Sequence, residues 1–270
     1  LRWPRPRFTP CRPEATCAYF GAALGEGDWQ GSVLASASRA VIVRYLDAAV
    51  RRRLARAVRG AQRLVYFMDD DLLDARVLSG LPAAYADRLW ALAGAHKRWL
   101  LAHCDEFWVS TPALAHKYAA LRPRLVALAP TPELTRGAQD GSLRVAYHGS
   151  AAHHAELQWL RPILSRVLHE ATNTHLELVG DHRVNRLFRE LPRTTVLHPM
   201  GWSNYLAHTR SARVDIGLAP LVAGGGFNAG RGPVKFFDYA RMGGLTIASR
   251  GPVFEGHIEH ERSGLLLADE

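Results

Sequence analysis

A chain of 270 residues, 48% hydrophobic and 22% charged, allows one large domain or two small ones and excludes disordered, collagen-like and disulfide-stapled classes. No run nears the ~18 apolar residues of a membrane span; Ala40 to Val43 is stopped at once by Arg44. The net charge of +9 points to an anionic partner, yet only 3 of the 34 basic residues are lysine (Lys97, Lys117, Lys235). That bias reflects coding composition better than a nucleic-acid surface, so no nucleic acid is expected.

Cys11, Cys17 and Cys104 show no paired spacing, which fits a reducing compartment and neither a disulfide framework nor a zinc site. The basic start, Leu1 to Arg7, is followed only by a short, glycine-broken apolar stretch, so no secretory signal is read. A start without methionine and an end just after an apparent strand suggest a truncation at either end.

Residues 1–32, rich in proline, glycine and arginine, are expected to be mostly loop. Strands are expected over 40–45, 64–68 and 107–109, and helices over 48–60, 83–102 and 112–121. Residues 130–142 read as a linker. The second half alternates again: strands over 144–148, 175–179, 196–197, 215–219 and 245–248, helices over 156–171, 204–212 and 234–242. Pro162 is tolerable only near a helix start or at a kink. Such alternation implies parallel sheets with crossover helices, hence an α/β chain of two Rossmann-like domains facing a cleft. The boundaries expected are 1–139, with the linker from about 130, and 140–270.

Ligands of open α/β sheets bind outside the carboxyl ends of the strands. That rule selects His148-Gly149-Ser150, Gly180-Asp181, Pro199-Met200-Gly201, the stretch from Pro220 to Arg231, and Asp69-Asp70-Asp71. Most informative is the glycine-rich run from Gly224, through Phe227, Asn228 and Arg231, into a helix with Pro233 in its first turn. Loop amides and a helix start suit a phosphate. Arg231 and Lys235, four apart, suit one diphosphate, and Asp238, three beyond Lys235, suits ribose hydroxyls. The alternative is a flexible loop with a surface Lys–Asp pair.

Asp215 to Leu221, Phe227-Asn228, Val234 to Ala240, Gly243-Gly244, Ile247 to Ser249 and Ser263 to Leu266, in that order, resemble the C-terminal domain of GT-B glycosyltransferases of the family-4-like group. The resemblance covers roughly 143–270. It implies two Rossmann-like domains and a nucleotide-diphosphate sugar as donor, with no metal or other cofactor. It also implies retention of configuration, a nucleotide-sugar domain over 140–270, and transfer to a glycan or lipid-linked acceptor held by an acceptor-side domain over 1–139. Arg231, Lys235 and Asp238 become the catalytic candidates. Gly149, Ser150, Gly180, Met200, Phe227 and Asn228 become the donor-binding candidates. A cytoplasmic location with peripheral contact to the inner membrane face follows for such an enzyme in polysaccharide synthesis.

Three departures stand out. Gly230 occupies the place of the first of two family glutamates, Asp238 that of the second, and Gly232 that of a serine. The helix that usually follows the last strand is absent, and the N-terminal domain looks short of strands. His153 and His154 lie where a histidine reaches either the cleft or plain surface.

The aspartates at 69–71 support rivals. With Lys117 and Asp181 they resemble haloacid-dehalogenase phosphatases, where Asp69 is the nucleophile, Asp71 the acid/base and Asp181 a magnesium ligand. They also resemble the metal-binding D-x-D of GT-A enzymes. The plain alternative is that they cap the following helix. A non-catalytic, nucleotide-binding glycosyltransferase-like subunit is the remaining reading.

Overall fold

The computed structural model describes residues 14–57, 63–129, 141–149, 153–222 and 226–268. Its contacts divide the chain into two units, Leu1–Ala129 with Gly225–Gly232, and Pro130–Gly224 with Pro233–Glu270. Among the described residues each unit carries one sheet of six strands. The linker expected over 130–142 falls almost wholly outside the described residues.

The first unit opens on α1 (Glu14–Leu24) and the antiparallel strands β1 (Asp28–Gln30) and β2 (Val33–Ala35), where loop was expected. Alanine and glycine are mixed all round α1, so it has no clear apolar period; only packing identifies Tyr19, Phe20 and Leu24, each 1% exposed, as its inner face. Each such ring adds roughly 1.5–3 kcal/mol by burial. Strand β2 pairs antiparallel with β3 (Arg39–Val43). From there β3, β4 (Arg63–Met68), β5 (Glu106–Val109) and β6 (Arg124–Leu125) run parallel in chain order. The expected shortage of strands is therefore not found: β1, β2 and β6, of two or three residues each, are too short to show as sequence patterns.

The strands alternate faces as the pleat requires. Ile42, Tyr66, Met68, Phe107 and Val109 point to one side and share a core with Leu54, Leu89, Leu100 and Leu114. Those leucines come from α2 (Ala48–Ala57), α4 (Ala83–Leu92), α5 (Lys97–His103) and α6 (Pro112–Lys117), so the crossover helices line one face. Val41, Val43, Val65, Phe67 and Trp108 turn the other way, and Phe20 of α1 meets Phe67 there at 5.0 Å. The single helix expected over 83–102 is broken because the Trp90 ring packs against Gly94, where a Cβ would lie 2.0 Å from it. Between β4 and α4 lies the short α3 (Ala75–Leu78).

The second unit is all parallel. Strands β7 (Leu143–His148), β8 (Thr174–Val179), β9 (Thr194–Leu197), β10 (Ile216–Ala219), β11 (Leu245–Ser249) and β12 (Gly264–Leu267) stand in the order β12-β11-β10-β7-β8-β9. The chain thus winds outward from β7, returns, and winds outward again from β10. That order is the doubly wound Rossmann one, with its reversal between β7 and β10. Helices α7 (His154–Glu170) and α8 (His182–Phe188) cover one face through Leu157, Leu160, Leu164, Val184 and Phe188. On the opposite face α11 (Val234–Arg241) lays Tyr239 against Ala146, Ala219 and Ala248. Helix α9 (Trp202–Ser211) lies between β9 and β10 in sequence.

Pro162 lies inside α7, further from its start than expected. It is exposed, so the carbonyl that loses its backbone donor, that of the exposed Gln158, faces water. The 226–232 segment, although it sits between β10 and α11 in sequence, packs with the first unit: α10 (Gly226–Ala229) buries Phe227 among Leu114, Tyr118 and their neighbours. No described helix is long and apolar enough to cross a membrane.

Candidate functional site

At the strand-order reversal of the second unit, the ends of β7 and β10 are tied together by one hydroxyl. The Tyr239 Oη accepts from the His148 amide at 3.0 Å and donates to the Leu218 carbonyl at 3.1 Å. Its ring occupies the space over Gly217, where a Cβ would come within 2.0 Å of it. Burial raises the Tyr239 pKa well above the usual phenol value, so the hydroxyl stays protonated and able to donate. Parting the sheet here to receive a ligand would break both bonds; the tie fixes the floor of the crevice.

The His148 ring is held from the other side. Glu177 Oε1 lies 3.0 Å from Nε2 of both His148 and His208, and Tyr205 Oη lies 3.0 Å from His148 Nδ1. Burial pushes the Glu177 carboxyl upward, but the hydrogen bonds from the two histidines outweigh it and leave the pKa below the ordinary value. An ionised Glu177 only accepts, so both Nε2 atoms carry protons and His148 Nδ1 accepts from Tyr205. This network escaped sequence reading because its members come from β7, β8 and α9.

Lys235 lies one helical turn before Tyr239 and so comes to the same strand end. Its Nζ sits 5.2 Å from the Tyr147 ring centroid and 3.1 Å from His153 Nε2. His153 Nδ1 in turn lies 3.2 Å from Oε1 of Glu156, which is 4% exposed. Gly149 makes room for this group: a Cβ there would lie 2.8 Å from the Tyr147 ring and 3.3 Å from His153. His154, by contrast, lines a separate hollow with Arg183 and Arg186. The two adjacent histidines therefore have different surroundings, and only His153 belongs to the lysine.

The other residues singled out from sequence are distributed as follows. Ser150 lies outside the described residues. Gly180 ends β8 where a Cβ would meet Val184 at 2.5 Å, and Asp181 caps α8 by accepting from the amides of Arg183 and Val184. Met200 is half-buried just before α9. Asp238 is on α11, its Oδ1 3.7 Å from Arg241 Nη2. Phe227 is 3% exposed in the core of the first unit, which leaves no face of its ring for a nucleotide. Arg231 stacks on that ring at 4.9 Å, and Asn228 lies in α10. Arg231 and Asn228 thus belong to the first unit and Lys235 to the second; the second-unit site contains Lys235 alone of the expected cation pair.

The first unit ends its strands in ion pairs. Arg44, just beyond β3, adopts φ of 63°, and binds Asp69 at 2.5 Å and Asp70 at 2.6 Å. That strained backbone is held by the Arg44 amide on the Phe67 carbonyl and by the Tyr66 hydroxyl on the Arg44 carbonyl. Asp69 also accepts from Thr16 at 2.9 Å, so both its oxygens are engaged. Asp71, 2% exposed, takes Lys117 on one oxygen and the Tyr118 hydroxyl on the other. Lys117 also binds Asp74, holding that carboxyl down to about 2.

These roles differ from every sequence expectation for the cluster. The helix cap is Asp74, which accepts from the Arg76 amide at the start of α3. Asp69 lacks the open oxygen of a nucleophile, Lys117 balances Asp71 rather than Asp69, and Asp181 is a cap. The phosphatase arrangement is not formed. Gly230 is explained by packing as well: a side chain would start 3.1 Å from Leu114 and 3.4 Å from Asp71 Cβ, and its carbonyl accepts from Thr111 at 3.3 Å. Any side chain here would press on the Leu114 methyl group.

No protein-family model matches the sequence, and no curated protein matches it. Solved structures do. The crystal structure of TarM aligns over 84% of this chain with a TM-score of 0.50 at 8% identity. A glycosyltransferase from Rickettsia africae ESF-5 aligns over 84% with a TM-score of 0.50 at 11% identity. The chain spans only 44% and 62% of their respective lengths. With two Rossmann-like sheets, these likenesses give the chain the fold of the GT-B glycosyltransferases.

Proposed function

We propose that this chain transfers a glycosyl group from a nucleotide-diphosphate sugar to a glycan or lipid-linked acceptor, and that the second unit binds the donor. The reading rests on one placement above all. Lys235 lies against Tyr147 and His153, the residues that crowd Gly149 just past β7, at the strand-order reversal where doubly wound sheets take nucleotides. There its ammonium meets the donor's diphosphate beside the amide end of Gly149. As the glycosidic C–O bond lengthens, negative charge grows on the departing diphosphate, and a fixed cation stabilises that state more than the ground state. Asp238, on the same helix as Lys235, is the candidate for the ribose hydroxyls, and no metal is assigned to the transfer.

Calorimetric titration with UDP and GDP, with and without magnesium, tests this. Binding that is independent of metal and weakened at least tenfold by Lys235→Ala supports it. Equal binding by the wild type and the variant would sink it. Substituting Arg231 in the same assay asks whether the first unit supplies a further cation.

A second reading has its own observation. The close packing around Gly230 removes the carboxylate that the resembled family places there, which favours a subunit that binds nucleotide without transferring sugar. Hydrolysis of the bound donor separates the two: turnover identifies an enzyme, and binding without turnover identifies the subunit.

A further inference from the structure

The contact between Lys235 and His153 has a consequence for how a diphosphate binds. Lys235 Nζ lies 3.1 Å from His153 Nε2 and 3.5 Å from Nδ1, so the ammonium rests against the face of the ring, out of line with the in-plane lone pair of either nitrogen. An ionised Glu156 only accepts, so the single proton of a neutral ring is on Nδ1, facing Glu156 Oε1 at 3.2 Å, and Nε2 keeps its lone pair. The empty site is a chain of ammonium, neutral imidazole and buried carboxylate.

A diphosphate draws the Lys235 hydrogens to its own oxygens. A neutral His153 would then turn a bare Nε2 lone pair toward anionic oxygen. Taking one proton from solvent converts that nitrogen into a donor, and Glu156 is already in place as counterion. The lysine's charge opposes this protonation in the empty site, and the phosphates remove that opposition. The described groups facing the ring are Lys235 from α11, Glu156 from α7 and the Tyr147 ring from β7, its centroid 6.2 Å away. His154 stands instead with Arg183 and Arg186.

We propose that His153 is a second cation of the diphosphate site, neutral when the site is empty and protonated when a diphosphate is bound. The inference rests on the donor-site reading above and adds to it a proton taken up on binding. The bound state has the higher imidazole pKa, so affinity is full below the pKa of the free state. It falls as pH rises through that value, by up to about tenfold per unit, until the pKa of the bound state is passed.

The test is calorimetry of the whole chain with UDP-glucose and GDP-mannose, whose esterified diphosphates do not titrate in this range, and with UDP and GDP. It runs between pH 5.5 and 8.5 in buffers of differing ionisation enthalpy. The expected result is uptake of up to one proton near neutral pH and affinity falling with pH. His153→Gln, which keeps a neutral side chain, is expected to abolish the uptake and flatten the pH profile. Glu156→Gln is expected to reduce the uptake.

Nucleotide binding that is independent of pH, or uptake unchanged in His153→Gln, overturns the His153 proposal and leaves the donor site standing. Binding of none of the four probes at any pH overturns both.

Discussion

In the first unit the strand ends are closed by ion pairs: Arg44 spans Asp69 and Asp70, and Lys117 spans Asp71 and Asp74. In the second unit β7 is followed by Gly149, crowded by Tyr147 and His153, and the Lys235 ammonium lies against that same ring and imidazole. Both ends lie where an α/β sheet offers a binding crevice. The first devotes its charges to holding backbone in place, including a residue in the left-handed region. The second sets its lysine beside a hydroxyl-tied floor, against the His153 imidazole and the Tyr147 ring. A charged cluster at a strand end is therefore not in itself a site. What separates the two is what the charged groups touch: turns and strand ends in the first unit, an imidazole and an aromatic ring in the second.

Substitutions break this contrast in order of size. Removing the guanidinium in Arg44→Ala strands two carboxylates, and loss of one partner from a buried ion pair costs about 3–5 kcal/mol. Urea unfolding is the measurement, and UDP binding by the folded variant is expected to match the wild type. Lys235→Ala is the mirror case. Its expected loss of at least tenfold in nucleotide affinity, about 1.4 kcal/mol, should come with unfolding free energy within about 0.5 kcal/mol of wild type. An Arg44 variant that loses nucleotide binding while folded, or a Lys235 variant that unfolds easily, would erase the distinction.

Tyr239→Phe sharpens it from within the second unit. The Leu218 carbonyl and the His148 amide both lose their partner, with an expected cost of about 1–3 kcal/mol in chemical denaturation. Smallest is the acid response of the first unit. Asp74 titrates near 2 when folded and near 3.9 when unfolded, so its stabilisation is complete above the unfolded value and lost as pH falls through the folded one. Because Lys117 is 35% exposed at the side chain, the loss between pH 5 and 2 is on the order of 1 kcal/mol after screening. Asp74→Asn should remove that part of the pH dependence of thermal melting.

Much of this was legible before any coordinates. The second unit's strands showed as apolar runs because both their faces are covered, and α7, α9 and α11 as repeating apolar positions, whereas the seven-residue α8 was not read. Gly149 and Lys235 were found from the strand-end rule and the glycine-rich entry into α11. Helix α1 and strands β1, β2 and β6 were not found, since weak amphipathicity and strands of two or three residues leave no period to read. The Phe227 segment was misleading for another reason. Its order in the chain places it next to Lys235, while its side chain packs with Leu114 and Tyr118 of the other unit.

By itself, then, the sequence determined the alternation of strands and helices, the parallel sheets that follow from it, and the strand ends at which a ligand belongs. Those features depend on local period and on neighbours a few residues apart. Tertiary structure alone decided that Asp69, Asp70 and Asp71 are matched by Arg44, Lys117 and Tyr118. It likewise decided that Tyr239 bridges β7 and β10, and that His153 meets Lys235 82 residues further along. Hydrogen bonds and ion pairs act over about 3 Å whatever the separation in sequence. Residue order cannot reveal whether a charge is already matched by one of opposite sign.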